Sequence, residues 1–397
     1  MNIVPPESQG FSRPRLSRIH NVMQRYVDER KAAGISSLIA RRGEVVHFEQ
    51  VGMAVIEPAQ PMAPDTIFRI YSMTKPITST AALMLYEEGR FRLSDPVANY
   101  IPAFKNMKVL DNQPGSGVKY VDAARPITIR DLMTHTAGLS YGFDDHVYID
   151  ELYRKHLWMA QDANPKLTLE ELVTELAKLP LAHQPGTLFR YSLATDVLGY
   201  LVQVISGQPF EVFLKQHIFD PLGMVDSGFY VPAEKVGRFA AVYGPDPAGG
   251  LKEIDPVSNP RYLNPPASPS GGGGMVSTAG DYLRFCQMLL NGGALDGVRL
   301  LGRKTVELMT TNHLPDGVYT FDDRSSGFGL GVSVVLDLGK SQMPGSVGSY
   351  GWGGAANTTF WIDPKEELIA ILMLQFMPMD TYPEIADFHT LAYQAMV

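Results

Sequence analysis

Phe68-Arg69-Ile70-Tyr71-Ser72-Met73-Thr74-Lys75-Pro76 places a serine where an apolar segment gives way to a helix, and a lysine three residues on. The segment ends at Tyr71, and Thr74 to Glu88, with its A-A-L-M-L-Y-E-E stretch, reads as helical. Pro76 is tolerated there because first-turn N–H groups have no intrahelical partner. Ser72 then sits at the positive end of the helix dipole, which favours an incipient alkoxide. Lys75 lies on the same face, one turn away, where a neutral or proton-sharing amine takes the serine proton. S-x-x-K is a short pattern that chance supplies about once in a chain of this size. Its ordinary reading is an N-cap serine beside a solvated lysine, so partners must be found elsewhere.

Two further segments supply them. Pro185-Gly186-Thr187-Leu188-Phe189-Arg190-Tyr191-Ser192-Leu193 sets Tyr191 at a loop-to-helix junction after a Pro-Gly turn. A tyrosine near an ammonium ion is held closer to its phenolate form, so Tyr191 is expected to relay a proton. Tyr350-Gly351-Trp352-Gly353-Gly354-Ala355 precedes a strand. Its glycines let backbone approach a substrate, and a strand-edge N–H serves as an oxyanion donor.

A rival serine exists. Gly138-Leu139-Ser140-Tyr141-Gly142 matches G-x-S-x-G, the nucleophile-elbow pattern. An elbow needs a strand entering and a helix leaving. Here Ile129, Leu132 and Met133 have helical spacing behind a Thr128 N-cap, and Gly142-Phe143-Asp144-Asp145-His146 starts no helix. No H-G-G-G segment lies upstream, and His389, the conceivable base, falls in an expected surface helix. Gly138 is read as a helix stop and Gly142 as a bend.

Around these motifs, an amphipathic helix is expected over 14–33, with strands Ser36–Ala40 and Val45–Val51 joined by Arg41-Arg42-Gly43-Glu44. Strands Asn357–Ile362 and Leu368–Phe376 flank Asp363-Pro364-Lys365-Glu366, and a helix over roughly Tyr382–Met396 closes the chain. Between them, helices are expected near Ile129–Thr136, Leu169–Leu179, Leu193–Ser206, Pro209–Ile218 and Thr278–Leu290. Strands at both ends around a helical middle imply one antiparallel sheet built from both termini, covered by helices, with an inserted helical lobe. The boundaries expected are 1–90 with 276–397 for the α/β (α+β) part and 91–275 for the insert, with the active site in the cleft between. Gly271-Gly272-Gly273-Gly274 follows no strand and precedes no G-K-[ST] pair, so it reads as a flexible turn rather than a phosphate loop.

Composition narrows the partners. Thirty-four basic and 42 acidic residues give a net charge of −8 with no basic stripe, which argues against nucleic acid. The lone cysteine, Cys286, excludes an internal disulfide and reads as a packing residue beside Phe285 and Leu289. The start M-N-I-V-P-P-E-S-Q-G has no apolar h-region, and the run Leu368 to Leu374 is too short to span a bilayer. A soluble, cytoplasmic protein with no membrane association is expected, and its chemistry calls for no cofactor or metal.

S-M-T-K at 72–75, L-M-T-H-T-A-G-L at 132–139, P-G and Y-S-L within 185–193, and W-G-G at 352–354 occur in an order that resembles the family VIII carboxylesterases. These are class C β-lactamase-like enzymes of the serine β-lactamase and penicillin-binding protein superfamily, and the likeness spans nearly the whole chain. The resemblance implies a β-lactamase/transpeptidase-like fold with Ser72 as nucleophile and Lys75 and Tyr191 as shared general base and acid. It implies an oxyanion hole from the backbone N–H groups of Ser72 and Ala355. Trp352, Gly353 and Gly354 would line the substrate site, with Trp352 where β-lactamases carry the lysine or histidine of K-T-G or H-x-G. Tyr141 and Asp196 match positions bordering the acyl pocket, and His135 is structural. Leu193 replaces the asparagine of Y-x-N, which would hold a lactam amide, and Trp352 removes the cation that would hold a carboxylate. Both departures favour a small neutral acyl ester of short to medium chain, with weak cephalosporin hydrolysis as a side activity. Rival readings are acyl transfer to an alcohol or amine, a β-lactamase or DD-peptidase-like activity, and a non-catalytic peptide or lactam binder. The loops 142–168 and 244–274 are expected to set specificity, with Phe143 and Trp158 lining the site.

Overall fold

The computed structural model describes all residues except 1, 112–117, 160, 162–163 and 322; positions 160, 162 and 163 of the 142–168 loop thus lie outside the described residues. Both chain ends feed one sheet. Its strands are β1 (Gly34–Arg41), β2 (Glu44–Val55), β3 (Gln60–Pro61), β4 (Ser326–Phe328), β5 (Ser333–Val335), β6 (Tyr350–Gly354), β7 (Thr358–Asp363) and β8 (Leu368–Leu374). Their spatial order is β4-β5-β6-β7-β8-β1-β2-β3, so the last strand pairs with the first, antiparallel, with Leu38 opposite Ile371.

The expected hairpin between β1 and β2 closes with Arg41 opposite Glu44, and its two turn residues, Arg42 and Gly43, have φ of +51° and +81°. Two positive φ values make the turn whose twist matches paired strands. In the second hairpin, the Asp363 carboxylate accepts the N–H groups of Lys365 and Glu366.

β8 is buried along its whole length because both faces are covered. Ile369, Ile371 and Met373 face a large core shared with the helical middle. Leu368, Ala370, Leu372 and Leu374 face a second core against α1 (Arg18–Asp28) and α5 (Glu384–Gln394). The first core contains α2 (Thr74–Glu87), α3 (Ala194–Ser206) and α4 (Ala279–Leu290), and Cys286 on α4 is fully buried within it.

Several expectations shift. The expected 14–33 helix divides at Ser17 into Arg13–Leu16 and α1. The expected surface helix at the C-terminus packs on the sheet through Phe388 and Ala392, with the His389 ring tilted against Trp361 at 4.5 Å. The middle also holds short two-stranded ribbons, Lys108–Asp111 with Lys119–Asp122 and Val242–Pro245 with Leu251–Asp255. Phe68–Arg69 pairs with Val276–Ser277, which ties the chain before Ser72 to the chain after the glycine run.

Candidate active site

Ser72 lies in a tight 3-10 turn, Tyr71–Met73, that runs directly into α2. Tyr71 has φ of +42°, a left-handed conformation that a non-glycine residue adopts only where its surroundings impose it. Those surroundings are explicit. The Ile70 N–H donates to the Met275 carbonyl at 3.0 Å, and Tyr282 Oη donates to the Met73 carbonyl at 2.9 Å. Arg69, fully buried, donates to the Ala240 carbonyl at 2.6 Å and to Asp255 at 3.0 Å, while its guanidinium stacks on Phe239 and Tyr262. The serine is therefore presented by a braced turn rather than a free loop.

Lys75 is fully buried, and its Nζ has three oxygen partners: Ser72 Oγ at 3.2 Å, Tyr141 Oη at 2.9 Å and the Gly272 carbonyl at 2.6 Å. Burial pushes the amine down to about 7, against the opposing pull of the Asp196 carboxylate. The carbonyl can only accept, so one N–H is committed to Gly272. In the neutral amine a second N–H serves Tyr141, and the lone pair remains for the Ser72 hydroxyl.

Tyr191 comes to the same point. Lys75 Nζ stands 4.4 Å from its ring centroid, and Trp352 Nε1 donates to its Oη at 3.2 Å. The expectation that the phenol leans toward phenolate does not hold. Burial pushes its proton affinity up and outweighs the opposing hydrogen bonds from Ser72 and Trp352. With Lys75 near neutrality and Tyr191 firmly protonated, the amine is the group free to take a proton, and the phenol holds one that it can pass on only as the Lys75 ammonium resupplies it.

Trp352 thus contacts the phenol oxygen as well as lining the opening. β6 ends against the Ser72 turn: a Cβ on Gly354 would stand 2.4 Å from the Ile70 carbonyl oxygen, so only glycine fits there. Thr358 Oγ1, opposite Gly354 on β7, donates to that same carbonyl at 3.4 Å. Gly353 precedes it on the strand, and Ala355 lies just past the strand end.

Tyr141 and Asp196 stand at Lys75. Asp196, buried on α3, accepts from Ser270 Oγ at 2.5 Å and from the Gly272 N–H at 3.2 Å, while its Oδ2 has no partner among the described residues. Burial raises its carboxyl, with Ser270 and Lys75 pulling the other way. The run Gly271–Gly274 is a turn, as expected, and that turn also forms a wall of this cage. Gly271 accepts from Thr78 Oγ1 at 2.8 Å and Gly272 from Lys75. A Cβ on Gly272 would meet Asp196 Oδ2 at 2.4 Å and Tyr141 Oη at 2.8 Å. Four consecutive glycines were the visible signal; what they pack against was not.

Ser140 has different company. Its hydroxyl donates to the Asp150 carboxylate and accepts from Arg190 Nε at 3.0 Å, and Arg190 also donates to Asp150 at 2.7 Å. Burial would raise Asp150, but the Ser140 and Arg190 hydrogen bonds and the Asp144 N–H hold it below the ordinary carboxylate range. A carboxylate held below its ordinary range and paired with a guanidinium is too weak a base to activate that hydroxyl. Thr128 does cap its helix, accepting from the Asp131 N–H at 3.2 Å. His135, buried beside Tyr191, is kept well below its ordinary range by burial, with Lys75 adding to the effect, and pairs with Ser192 Oγ at 3.3 Å. Trp158 anchors the 142–168 loop by donating to the Tyr141 carbonyl at 2.7 Å. Among the described residues, no three His, Cys, Asp or Glu side chains converge to hold a metal ion.

Comparison with known proteins finds relatives along nearly the whole chain. Residues 19–394 match the family model described as Beta-lactamase. An uncharacterized protein of Mycobacterium tuberculosis is 38% identical over 357 residues, 87% of this chain and 86% of that one. Esterase EstB of Burkholderia gladioli is 31% identical, covering 90% of this chain and 89% of its own. Among solved structures, EstCE1, described as a hydrolase with promiscuous acyltransferase activity, superimposes with a TM-score of 0.81 at 29% identity, over 96% of this chain and 99% of that one.

Proposed function

Because this chain belongs to the Beta-lactamase family, we propose that it cleaves neutral acyl esters of short to medium chain through an acyl-enzyme on Ser72. Its kinship with EstB and EstCE1 makes it a serine hydrolase of the family VIII esterase group with a β-lactamase/transpeptidase-like fold. The observation that carries the finer reading is Lys75. A fully buried amine, brought down to about 7 and 3.2 Å from a hydroxyl at a helix start, is a base poised for neutral pH.

In this mechanism the Ser72 oxygen attacks the ester carbonyl as its proton passes to Lys75. The carbonyl oxygen gathers charge toward the backbone N–H groups of Ser72 and Ala355. Tyr191 protonates the leaving alcohol and recovers a proton from the Lys75 ammonium. Water then retraces the route, giving its proton up and releasing the acid from Ser72. Trp352, apolar except for the N–H it gives Tyr191, offers a substrate carboxylate no ion pair. That favours neutral esters over carboxylate-bearing lactams.

Labelling with a fluorophosphonate, followed by peptide mapping, tests the assignment. The adduct is expected on Ser72, with Ser72→Ala abolishing both label and p-nitrophenyl ester turnover and Ser140→Ala keeping both. An adduct on Ser140 would overturn the mechanism. The description of EstCE1 favours a second reading, in which an added alcohol competes with water for the acyl-enzyme. Product partitioning with increasing alcohol separates the two.

A further inference from the structure

Two phenylalanines stand open at the mouth of the site, and the mechanism above uses neither. Phe143 is 71% exposed and Phe321 62%, yet each keeps ring contacts with the active-site shell. Phe143 stacks on Tyr141 with centroids 4.6 Å apart and planes 8° from parallel. Phe321 meets Tyr191 edge-on at 5.7 Å and lies near-parallel to Trp352 at 6.0 Å. Tyr141 and Tyr191 are 5.2 Å apart, so the rings run Phe143, Tyr141, Tyr191, Phe321, Trp352 across the opening. Tyr141, Tyr191 and Trp352 hydrogen-bond within the site, whereas the two phenylalanines offer it only ring surface.

Both exposures run against the hydrophobic effect, and Phe321 is held at φ +51°, a strained conformation for a bulky side chain. Paired apolar rings kept in water beside a reactive group mark a place where a ligand completes the burial.

The chemistry says which part of the ester that is. Tyr191 Oη must come within about 2.6–3.2 Å of the leaving oxygen to protonate it. The carbon attached to that oxygen therefore starts beside Tyr191, and rings flanking Tyr191 and its neighbour Tyr141 meet the alcohol part. A cavity of about 420 Å³ beside Tyr191 is lined by Tyr141 and Phe143 together with Asp144, Asp145 and Asp150, and its arginine, Arg190, is engaged by Asp150 and Ser140. Phe321 does not line it but meets the same Tyr191 ring. We propose that Phe143 and Phe321 form the alcohol subsite, and that the preferred substrates are esters of aromatic or bulky apolar alcohols. This rests on the esterase reading and on Tyr191 as the acid toward the leaving group.

The test compares 2-phenylethyl acetate with ethyl acetate, which share an acyl group and have leaving alcohols of similar acidity. The wild type is expected to favour the phenylethyl ester in kcat/KM. Phe143→Ala and Phe321→Ala should each lower that ratio by about 2- to 10-fold, the range of one lost aromatic pair, mainly through KM. The ratio of ethyl hexanoate to ethyl acetate, which reads the acyl side, should stay constant. The residues sit on separate exposed loops, so either variant serves if the other unfolds, with Phe321→Leu as a milder third. An unchanged phenylethyl ratio, or a shift in the hexanoate ratio instead, overturns the alcohol subsite and leaves the esterase standing. Wild-type inactivity toward every ester, with no label on Ser72, overturns the esterase reading and this proposal together.

Discussion

Lys75 shows how little charge compensation a buried amine needs to become a base. Its partners are a carbonyl and two hydroxyls, so burial dominates and the neutral form is populated near pH 7. In the proposed mechanism neutral Lys75 is the active form, so kcat/KM should rise with pH through about 7 and then level off, with activity lost below as the amine is protonated. Asp196 acts the other way, favouring the ammonium. Asp196→Asn should therefore move the acid limb to lower pH; initial rates across pH 5–9 would show it, and an upward shift would contradict the geometry. Tyr191 keeps its proton over this range. Tyr191→Phe should cost about 10²–10⁴-fold in kcat/KM while leaving the acid limb in place, since it removes the acid and not the base. At this scale the sequence was informative about Ser72 and Lys75, which are one helical turn apart. It misjudged the Tyr191 phenol because a phenol's proton affinity follows from burial, and burial is not a property of nearest neighbours.

Among the elements, the glycine run and the Ser72 turn depend on one another. Gly272→Ala drives a methyl into Asp196 and Tyr141, and the wall must retreat with the carbonyl that holds Lys75. Displacement of about 1 Å at a reacting group costs on the order of 100-fold in rate. That loss is expected in kcat, with a smaller loss of stability in urea unfolding. Arg69 braces the turn from the other side, and Arg69→Ala should cost about 1–3 kcal/mol, because the Ala240 and Pro256 carbonyls and the half-buried Asp255 lose their donor. Chemical denaturation measures it directly. Turns and caps were readable beforehand: Arg42-Gly43 and Thr128 act through residues one to four positions away. The wall was not, since Gly272 lies 197 residues from the lysine it holds.

For the whole molecule, the first and last strands share one ladder, and the core beneath them also packs α2. Ile371, fully buried on the face toward α2, should cost about 2–5 kcal/mol when truncated to Ala, read as a lower urea midpoint. The continuous apolar run of β8 beside its turn signature, and the helix-forming stretches of α2 and α3, made the sheet and its covering helices legible, and four short motifs in order pointed to the family. Those signals are local, written by residues within one or two turns of each other. The proton state of Lys75, the partners of Tyr141 and Asp196, the rigid glycine wall and the exposed rings at the mouth were decided only by tertiary structure. Desolvation and close packing act through space, between segments as far apart as Lys75 and Gly272 or Tyr191 and Trp352. By itself the sequence determined which serine lies at a helix start beside a lysine; the fold decided that the lysine there is dry enough to act as a base.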